Sequence, residues 1–541
     1  MHFEQGISAS FRSWGAVALT VALFGSGRAV FASEQSPTAP SPAPQQTVQN
    51  PPPGVPAAVL RLAADEAVRM ALENNLGIQA QRLSPQIESF NVAQARAAYA
   101  PNLISNTTRR SSANPPNNFL TGQGSVITDA SVRTNAGLQQ LVPWGGGRYQ
   151  FTLDASRSKT TGFSNYNPQL GSNLNASFTQ PLLRDFRIDS VRQQLLLSQK
   201  QEQIADIQLR QQITATSRNV RSAYYDLVGS IAGLKVARQS LDLANESLRN
   251  NQRKVEVGTM APIDIIEAQA EVSRNEEQVI VQEGLIQSFE DRLRTLIMNP
   301  SQADFWTVRI EPTEQPTMTP RAVDVEAAVA NALATRTDLA QARKRLEATD
   351  IGLRFARNQK LPAVDLLANY GLVGLAGTQF QFGTGFPPPI LSESQRTFGD
   401  ALRDVFGNQF RTWSLQLQVS YPLGTSPAAA AVDGTRLQQQ QQSTELRDLE
   451  MQIATSVRDV ARQVNTSLKR VEATSKARGF AERRYEAEQK RMTVGLSTTF
   501  QLFQAQRDLA FQLQAELNAI IAYNRALIDF EAVQIAPIGG R

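Results

Sequence analysis

Histidine and cysteine, the side chains that most often carry nucleophilic or metal-dependent chemistry, are almost absent from this chain. Its 541 residues contain no cysteine, and the single histidine is His2. Without them, a His-dependent triad, a thiol nucleophile or a zinc site built on His or Cys cannot form. Asp and Glu are plentiful, but they alternate with Lys and Arg in a pattern typical of solvated helix faces. We therefore predict no enzymatic activity, no catalytic residue, no cofactor and no metal site.

Phosphate and nucleic-acid binding are also disfavoured. The glycine run 145–147 lacks the Gly-Lys-Ser/Thr ending that a phosphate-binding loop requires, so a hairpin turn is the better interpretation. The 54 basic and 49 acidic side chains leave a formal charge of only +5. Such a small excess does not form a basic patch, and we expect no nucleic-acid partner.

The elements that position the remaining polar residues are built as a repeat. The segment KVEVGTMAPIDIIEAQAE around Gly258 matches RMTVGLSTTFQLFQAQRD around Gly495, at an offset of 495 − 258 = 237 residues. An earlier segment that ends at Pro101 recurs up to Pro362, at an offset of 362 − 101 = 261 residues. The chain is therefore predicted to be a duplication, with repeat 1 at 59–320 and repeat 2 at 321–535.

Each repeat contains a long stretch without proline, from Pro181 to Pro262 and from Pro427 to Pro537, rich in Gln, Ala, Leu, Arg and Glu. Such stretches are predicted to be helical. Apolar residues recur at heptad spacing, at Ile213, Val220, Tyr224, Leu227, Ile453, Val457, Val460 and Val464. We predict coiled-coil hairpins at about 187–298 and 433–533, with a first helix roughly 100 Å long. Gly258 and Gly495 fit C-cap positions at the bends, and an exposed bend is also a candidate docking tip.

Strand regions are predicted ahead of each hairpin, at about 101–182 and 362–422. Apolar and polar residues alternate from Trp413 to Tyr421, and similar alternation surrounds Leu174 and Leu366. A soluble amphipathic sheet would show this pattern, but so would lipid-facing strands of a transmembrane β-barrel. Two strands per half give four per chain, so closure requires several copies, and three copies would supply 3 × 4 = 12 strands. The residues around Tyr149 also predict a further hairpin in the first half, which either joins the barrel or lies outside it. The segment 373–408 is expected to form an outer loop.

The N-terminus has the features of an exported protein. Residues 1–32 combine Arg12, a short apolar run and a small-residue ending, as in a signal peptide. The following segment, 33–58, is rich in Pro, Gln and Ser and is predicted to be an extended linker. Export and the strands together favour the barrel interpretation.

The duplicated order of helix, strand and helix, with Val-Gly at both bends, resembles the TolC-like outer-membrane efflux protein family. The resemblance implies an α+β membrane protein in which a duplicated helical-hairpin tunnel adjoins an antiparallel β-barrel completed by a homotrimer. It also implies a passive duct in the cell outer membrane, in contact with its lipid, with the helices in the periplasm. The partners would be a periplasmic adaptor and an inner-membrane pump, in a tripartite efflux or type I secretion system.

The resemblance also implies two groups of site residues. The adaptor-docking tips would be Val257, Gly258, Thr259, Val494, Gly495 and Leu496. The periplasmic gate would lie just beyond, at Asp264, Glu267, Gln501 and Gln504. Ser497 and the two glutamines stand where charges often occur in the family, so a salt bridge between these gate positions is not expected. Asp264 and Glu267 are equally consistent with solvated carboxylates in a first helical turn.

Two other classes of protein share parts of this pattern. A trimeric coiled-coil surface tether or adhesin would have the hairpins without a conduit. A periplasmic adaptor also has a helical hairpin, but normally only one and without membrane-length alternating strands. Single-channel conductance separates the duct from the tether.

Overall fold

The computed structural model describes residues 59–115, 126–315, 318–385, 388–424 and 426–538. The predicted signal peptide and linker, 1–58, lie outside these residues. The strands within the described ranges are β1 (Val59–Leu62), β2 (Asn102–Asn114), β3 (Ile127–Leu141), β4 (Arg148–Thr160), β5 (Tyr166–Pro181), β6 (Arg309–Pro312), β7 (Ala363–Phe382), β8 (Ile390–Arg396) and β9 (Arg411–Ser420). The helices are α1 (Ala64–Asn74), α2 (Leu76–Ala97), α3 (Ser190–Glu256), α4 (Ile263–Ile297), α5 (Val325–Thr335), α6 (Thr337–Gln359), α7 (Phe398–Phe406), α8 (Pro427–Thr493) and α9 (Thr499–Val533).

The duplication is visible in the helix lengths. The outgoing helices α3 and α8 have 67 residues each, and the returning helices α4 and α9 have 35 each. At 1.5 Å per residue each outgoing helix is about 100 Å long. Their starts are capped: the Asp189 side chain accepts from the Arg192 amide, and the Ser426 side chain accepts from the Ala429 amide.

Each returning helix meets a short helix that continues along the same long partner. In the first half α2 and α4 both pack on α3, and Asn75 Nδ2 donates to the Leu296 carbonyl at 3.1 Å. In the second half α6 and α9 flank α8, and the Thr337 amide donates to the Ile535 carbonyl at 2.9 Å. These junctions satisfy backbone groups that a helix end would otherwise leave open.

The apolar core lies where these junctions meet the long helices. Val220, Tyr224 and Leu227 of the predicted heptad seam are fully buried in the first half, as are Ile453 and Val457 in the second. Further along α3 the seam is less well covered: Ile231, the next apolar residue at heptad spacing four positions after Leu227, is 39% exposed. The heptad prediction therefore holds best at the middle of the molecule.

The strands form one antiparallel sheet in the order β2-β3-β4-β5-β7. The edge of β7 opposite β5 pairs with β9 along its first half and with β8 along its second half. The further hairpin predicted around Tyr149 consists of β3 and β4, and it joins this sheet. Strands β2, β5, β7 and the column formed by β8 and β9 supply four positions, and the hairpin supplies two more. The α+β fold class is confirmed, and a chain has six strand positions across its sheet.

The two faces of the sheet differ in polarity. Phe151, Ala176, Tyr370 and Trp413 lie in one cross-strand row of an apolar face. The opposite, polar face has a row formed by Asn106, Asn135, Asp154 and Asn173. Strands β4, β5 and β9 therefore show the expected alternation of apolar and polar residues, whereas β2 has Ser105 and Thr107 on the apolar face and β7 has Leu367 and Val373 on the polar face.

The expectation of an outer loop at 373–408 was wrong. Strand β7 extends to Phe382, and β8 and the short helix α7 fill most of the remaining segment. Helix α7 begins with a capping box between Thr397 and Asp400. It packs on the apolar face over Gly374, where an added Cβ would lie 2.0 Å from the Ala401 carbonyl oxygen.

None of the helices in the described ranges is both long and apolar enough to span a membrane.

Candidate functional site

The first bend ends α3 in a Schellman motif. Gly258 has φ +75°, and its amide donates to the Val255 carbonyl at 2.9 Å. The Thr259 amide donates to the Lys254 carbonyl at 2.8 Å, and the Thr259 hydroxyl donates to the same oxygen at 2.9 Å. Because a left-handed residue is required at this position, glycine ends the helix without the steric cost of a Cβ.

The second bend has the same geometry at the end of α8. Gly495 has φ +77°, and its amide donates to the Met492 carbonyl at 3.3 Å. The Leu496 amide donates to the Arg491 carbonyl at 2.9 Å. The duplicated Val-Gly sequence therefore forms the same turn in both repeats.

Both bends present apolar side chains to solvent. Val257, Val494 and Leu496 are 73%, 68% and 77% exposed. Nothing lies within 4 Å of a Cβ built on Gly258 or Gly495. Sequence reasoning missed three exposed apolar neighbours, Ile263, Ile266 and Phe500. Their position in the first turns of the returning helices, directly after each bend, could have predicted that they lie beside the tips.

The structure brings one predicted gate residue into contact with the other repeat. Asp264, in the first turn of α4, accepts a hydrogen bond from the Thr499 hydroxyl of α9 at 2.7 Å. Thr499 is buried. This contact crosses between the N-termini of the two returning helices. Glu267 is exposed and has no hydrogen bond or ion pair within the part of the chain that the structure describes.

The second repeat has a local polar network instead of a charge at the gate positions. The Ser497 hydroxyl donates to Glu488 at 2.7 Å and lies 3.0 Å from Gln501 Oε1. The Ser497 hydroxyl, together with Arg491, holds the pKa of the Glu488 carboxyl below its usual range. Gln504 is exposed. Among the described residues, no hydrogen bond joins the acids of repeat 1 to Gln501 or Gln504.

A salt bridge between the repeats does exist, at residues the sequence did not single out. The buried Glu271 of α4 lies 3.7 Å from Arg507 of α9 and 2.9 Å from Arg274. Glu271 follows Asp264 by one heptad and therefore lies on the same side of α4. This spacing was the feature of the sequence that could have predicted its contact with α9. The returning helices are therefore joined by two polar contacts, a hydroxyl–carboxylate bond near the bends and an ion pair above it.

This arrangement joins the two returning helices by polar contacts and does not resemble an acid/base pair. Asp264 and Glu488 are matched to hydroxyl groups and Glu271 to guanidinium groups, while Glu267 is exposed. Within the described residues there is also no group of three or more His, Cys, Asp or Glu that could hold a metal ion.

Comparison with known proteins gives the same architecture. The family model described as outer membrane efflux protein matches residues 146–297 and 328–533. None of the curated proteins matches the chain significantly.

Several solved structures share the fold at low identity. The Campylobacter jejuni CmeC outer membrane channel is 13% identical with a TM-score of 0.61, over 87% of this chain and 85% of that one. The Vibrio cholerae outer membrane protein VceC is 15% identical with a TM-score of 0.59, over 87% and 96% of the two chains. The open state of the Neisseria gonorrhoeae MtrE outer membrane channel is 15% identical with a TM-score of 0.59, over 87% and 89%.

Proposed function

The chain belongs to the outer membrane efflux protein family and is an outer-membrane efflux channel with its helices in the periplasm, and we propose that its two bends form the surface that docks a periplasmic adaptor. Channels of this family are trimeric and work with adaptors and inner-membrane pumps. A tether without a conduit is therefore set aside in favour of a duct.

The observation that carries the docking proposal is the exposure of Val257, Val494 and Leu496 on two rigid, equivalent turns. Isolated apolar side chains on a surface need no explanation, but these are clustered at the bends of a duplicated motif. In a trimer the bends occur six times, as three copies of each of two tips. An adaptor helix with small apolar residues at its own end would bury them.

The test is a pair of charge substitutions that leave the fold intact. Val257→Asp with Leu496→Asp places a carboxylate at each tip, where solvent accommodates it in the free channel. At a closed interface an unpaired charge costs about 2 kcal/mol or more, so we expect export of a fluorescent pump substrate to fall by at least about tenfold. Trimers should still form, as judged by heat-dependent migration on gels.

The matched control is Met451→Asp. Met451 is also apolar and 63% exposed on α8, but it lies about 65 Å from Val494 along the helix. Export by this variant should be normal. Normal export by the Val257→Asp and Leu496→Asp double variant, with intact trimers, would remove the docking role.

We further propose that Asp264 belongs to the gate at the closed end of the tunnel, with Glu267, Gln501 and Gln504 around it. Its contact with Thr499 ties α4 to α9. Opening would slide the returning helices against each other, a shear that breaks this contact and the Glu271–Arg507 pair while the helices stay folded. The duct itself binds no fuel, and its partners supply the energy.

A further inference from the structure

We propose that the outer end of the apolar sheet face binds the phosphate group of a lipid in the outer leaflet, through Arg109, Arg157 and Lys159. The inference rests on the outer-membrane orientation of the chain and on β2 and β4 both lying in the barrel wall, and not on the docking tips.

The sheet register places the three basic residues together. Arg109 of β2 pairs with Val132 of β3, and Val132 pairs with Arg157 of β4. The two arginines therefore lie in one cross-strand row, which we call the basic row. The two arginines are separated by two strand spacings, about 10 Å between Cα atoms. Lys159 follows Arg157 by two residues and therefore lies on the same face, about 7 Å further along β4. Three long side chains can converge on one phosphate from these positions.

This face is the one with the apolar rows. Arg157 shares its side of β4 with Leu153 and Phe151, because residues two apart point the same way. The acids Asp129 and Asp154 lie on the opposite, polar face.

The height of the basic row matches the edge of a bilayer. On β7 the apolar face is open from Val364 to the point where α7 covers Gly374, ten residues or about 33 Å along the strand. At a tilt of about 40° this is a band roughly 25 Å tall, the height of the lipid-facing band of outer-membrane barrels. Arg157 pairs with Leu170, and Leu170 pairs with Ala376, so the basic row lies one step above Gly374.

The direction of the strands identifies the leaflet. Helices α2 and α6 lead into the sheet, and α3 and α8 leave it, all at the end that contains Asn102 and Pro181. The basic row is near the other end, since β4 stops at Thr160. With the helices in the periplasm, this end faces the exterior, and the row lies at the headgroups of the outer leaflet.

Strands β2 to β5 carry no acid on the face of this row, and the acids that α7 brings to the same face, Asp400 and Asp404, are already paired with Arg403 and Arg396. Along β2 to β5 the charged residues at apolar-face positions are all basic, namely Arg109, Arg157 and Lys159. All three are exposed. None has an ion pair or side-chain hydrogen bond within the described ranges. Cations at the membrane surface without acidic partners are suited to anionic headgroups.

The experiment measures lipid retained by the purified trimer. Native mass spectrometry in detergent, with lipid A carrying two phosphates as the probe, should show bound lipid on the unmodified protein. The triple variant R109Q/R157Q/K159Q should retain at least about tenfold less, because the charge-assisted hydrogen bonds to phosphate are lost. Chemically dephosphorylated lipid A should bind the unmodified protein as weakly as the triple variant binds the intact lipid.

The matched control exploits the alternation of the strands. R110Q/R133Q removes two arginines at almost the same height from the polar face, and it should retain lipid like the unmodified protein. Equal retention by the triple variant, or equal loss in the polar-face control, would overturn the proposal. Displacement by millimolar inorganic phosphate would also overturn it, by assigning the site to free phosphate and not to lipid.

Discussion

At the residue scale, Gly258 and Gly495 show that one backbone conformation determines each bend. Both have φ near +75°, and neither has a neighbour that a Cβ would touch. The requirement for glycine is therefore conformational and not steric. Since the left-handed region costs an L-residue about 1 kcal/mol or more, the bend is sensitive to substitution without any loss of packing.

The prediction is that Gly258→Ala destabilises the bend by about 1 kcal/mol, whereas Gly258→Asn costs less because asparagine tolerates the left-handed region. Amide hydrogen exchange in the last turn of α3 would report the local opening. Gly479→Ala is the control: Gly479 lies inside α8, also without neighbours within 4 Å, and alanine there should stabilise by roughly 0.5–1 kcal/mol. Equal effects of alanine at both positions would contradict the conformational account.

The contact between Asp264 and Thr499 gives a second prediction at this scale. Thr499→Val keeps the shape of the buried side chain but removes the hydroxyl donor. Loss of a hydrogen bond worth about 0.5–1.5 kcal/mol should raise the open probability about two- to tenfold in planar bilayers, if the contact holds the closed state. Thr493→Val is the control, since the Thr493 hydroxyl bonds only to the Lys490 carbonyl of its own helix. Unchanged gating in Thr499→Val would show that the contact does not resist opening.

How much of the site the sequence predicted follows from the range of the contacts. The turns at Gly258 and Gly495 are local, so duplication and C-cap chemistry were sufficient to predict them. The partner of Asp264 is 235 residues away, and that of Glu271 is 236 residues away. Such pairs depend on how two helices are aligned, which the periodicity of either helix alone does not fix.

At the element scale, the helices and β9 were predicted well, whereas the end of β7, β8 and α7 were not. Long helices repeat one pattern over many turns, whereas residues 373–408 change structure three times. Gly374 and Gly377 interrupt the apolar alternation there, and the sequence therefore favoured a loop over a strand. In the structure Gly374 is the point where α7 approaches β7, and Gly377 has φ +121° beside the Pro168 carbonyl. These glycines are part of the sheet because other backbone atoms come close to them.

The packing of α7 on the sheet should therefore be disrupted by a single methyl group added at Gly374. Gly374→Ala would place a Cβ 2.0 Å from the Ala401 carbonyl oxygen, so α7 has to move away from the sheet. We expect destabilisation on the order of 2 kcal/mol and trypsin cleavage at Arg403, in protein reconstituted in nanodiscs. Gly371→Ala, on the other face of the same strand, meets its nearest atom at 3.9 Å and should remain resistant. Similar cleavage of both variants would refute this packing.

At the scale of the whole molecule, the sheet must be closed by other copies of the chain. Both of its edges are long: β2 has 13 residues, and on the far side β9 has 10. All residues of β9 are exposed in the single chain. Open edges of this length would promote aggregation unless another strand paired with them. We expect β2 of one chain to meet the column of β8 and β9 of the next chain in the trimer, because the opposite directions of β2 and β9 suit antiparallel pairing.

This closure predicts a wider barrel than four strands per chain would give. Six positions in each of three chains make 3 × 6 = 18 strands, and barrel diameter grows roughly in proportion to strand number, so the pore wall is about 1.5 times wider than with twelve. Because the chain has no cysteine, introduced pairs report contacts without background. Single cysteines scanned along β2, each combined with one in β9, should give disulfide-linked trimers, and a cryo-EM map should show eighteen strands. If cysteines in β9 cross-link instead to β4 of the next chain, then β2 and β3 lie outside the barrel and the count falls to twelve.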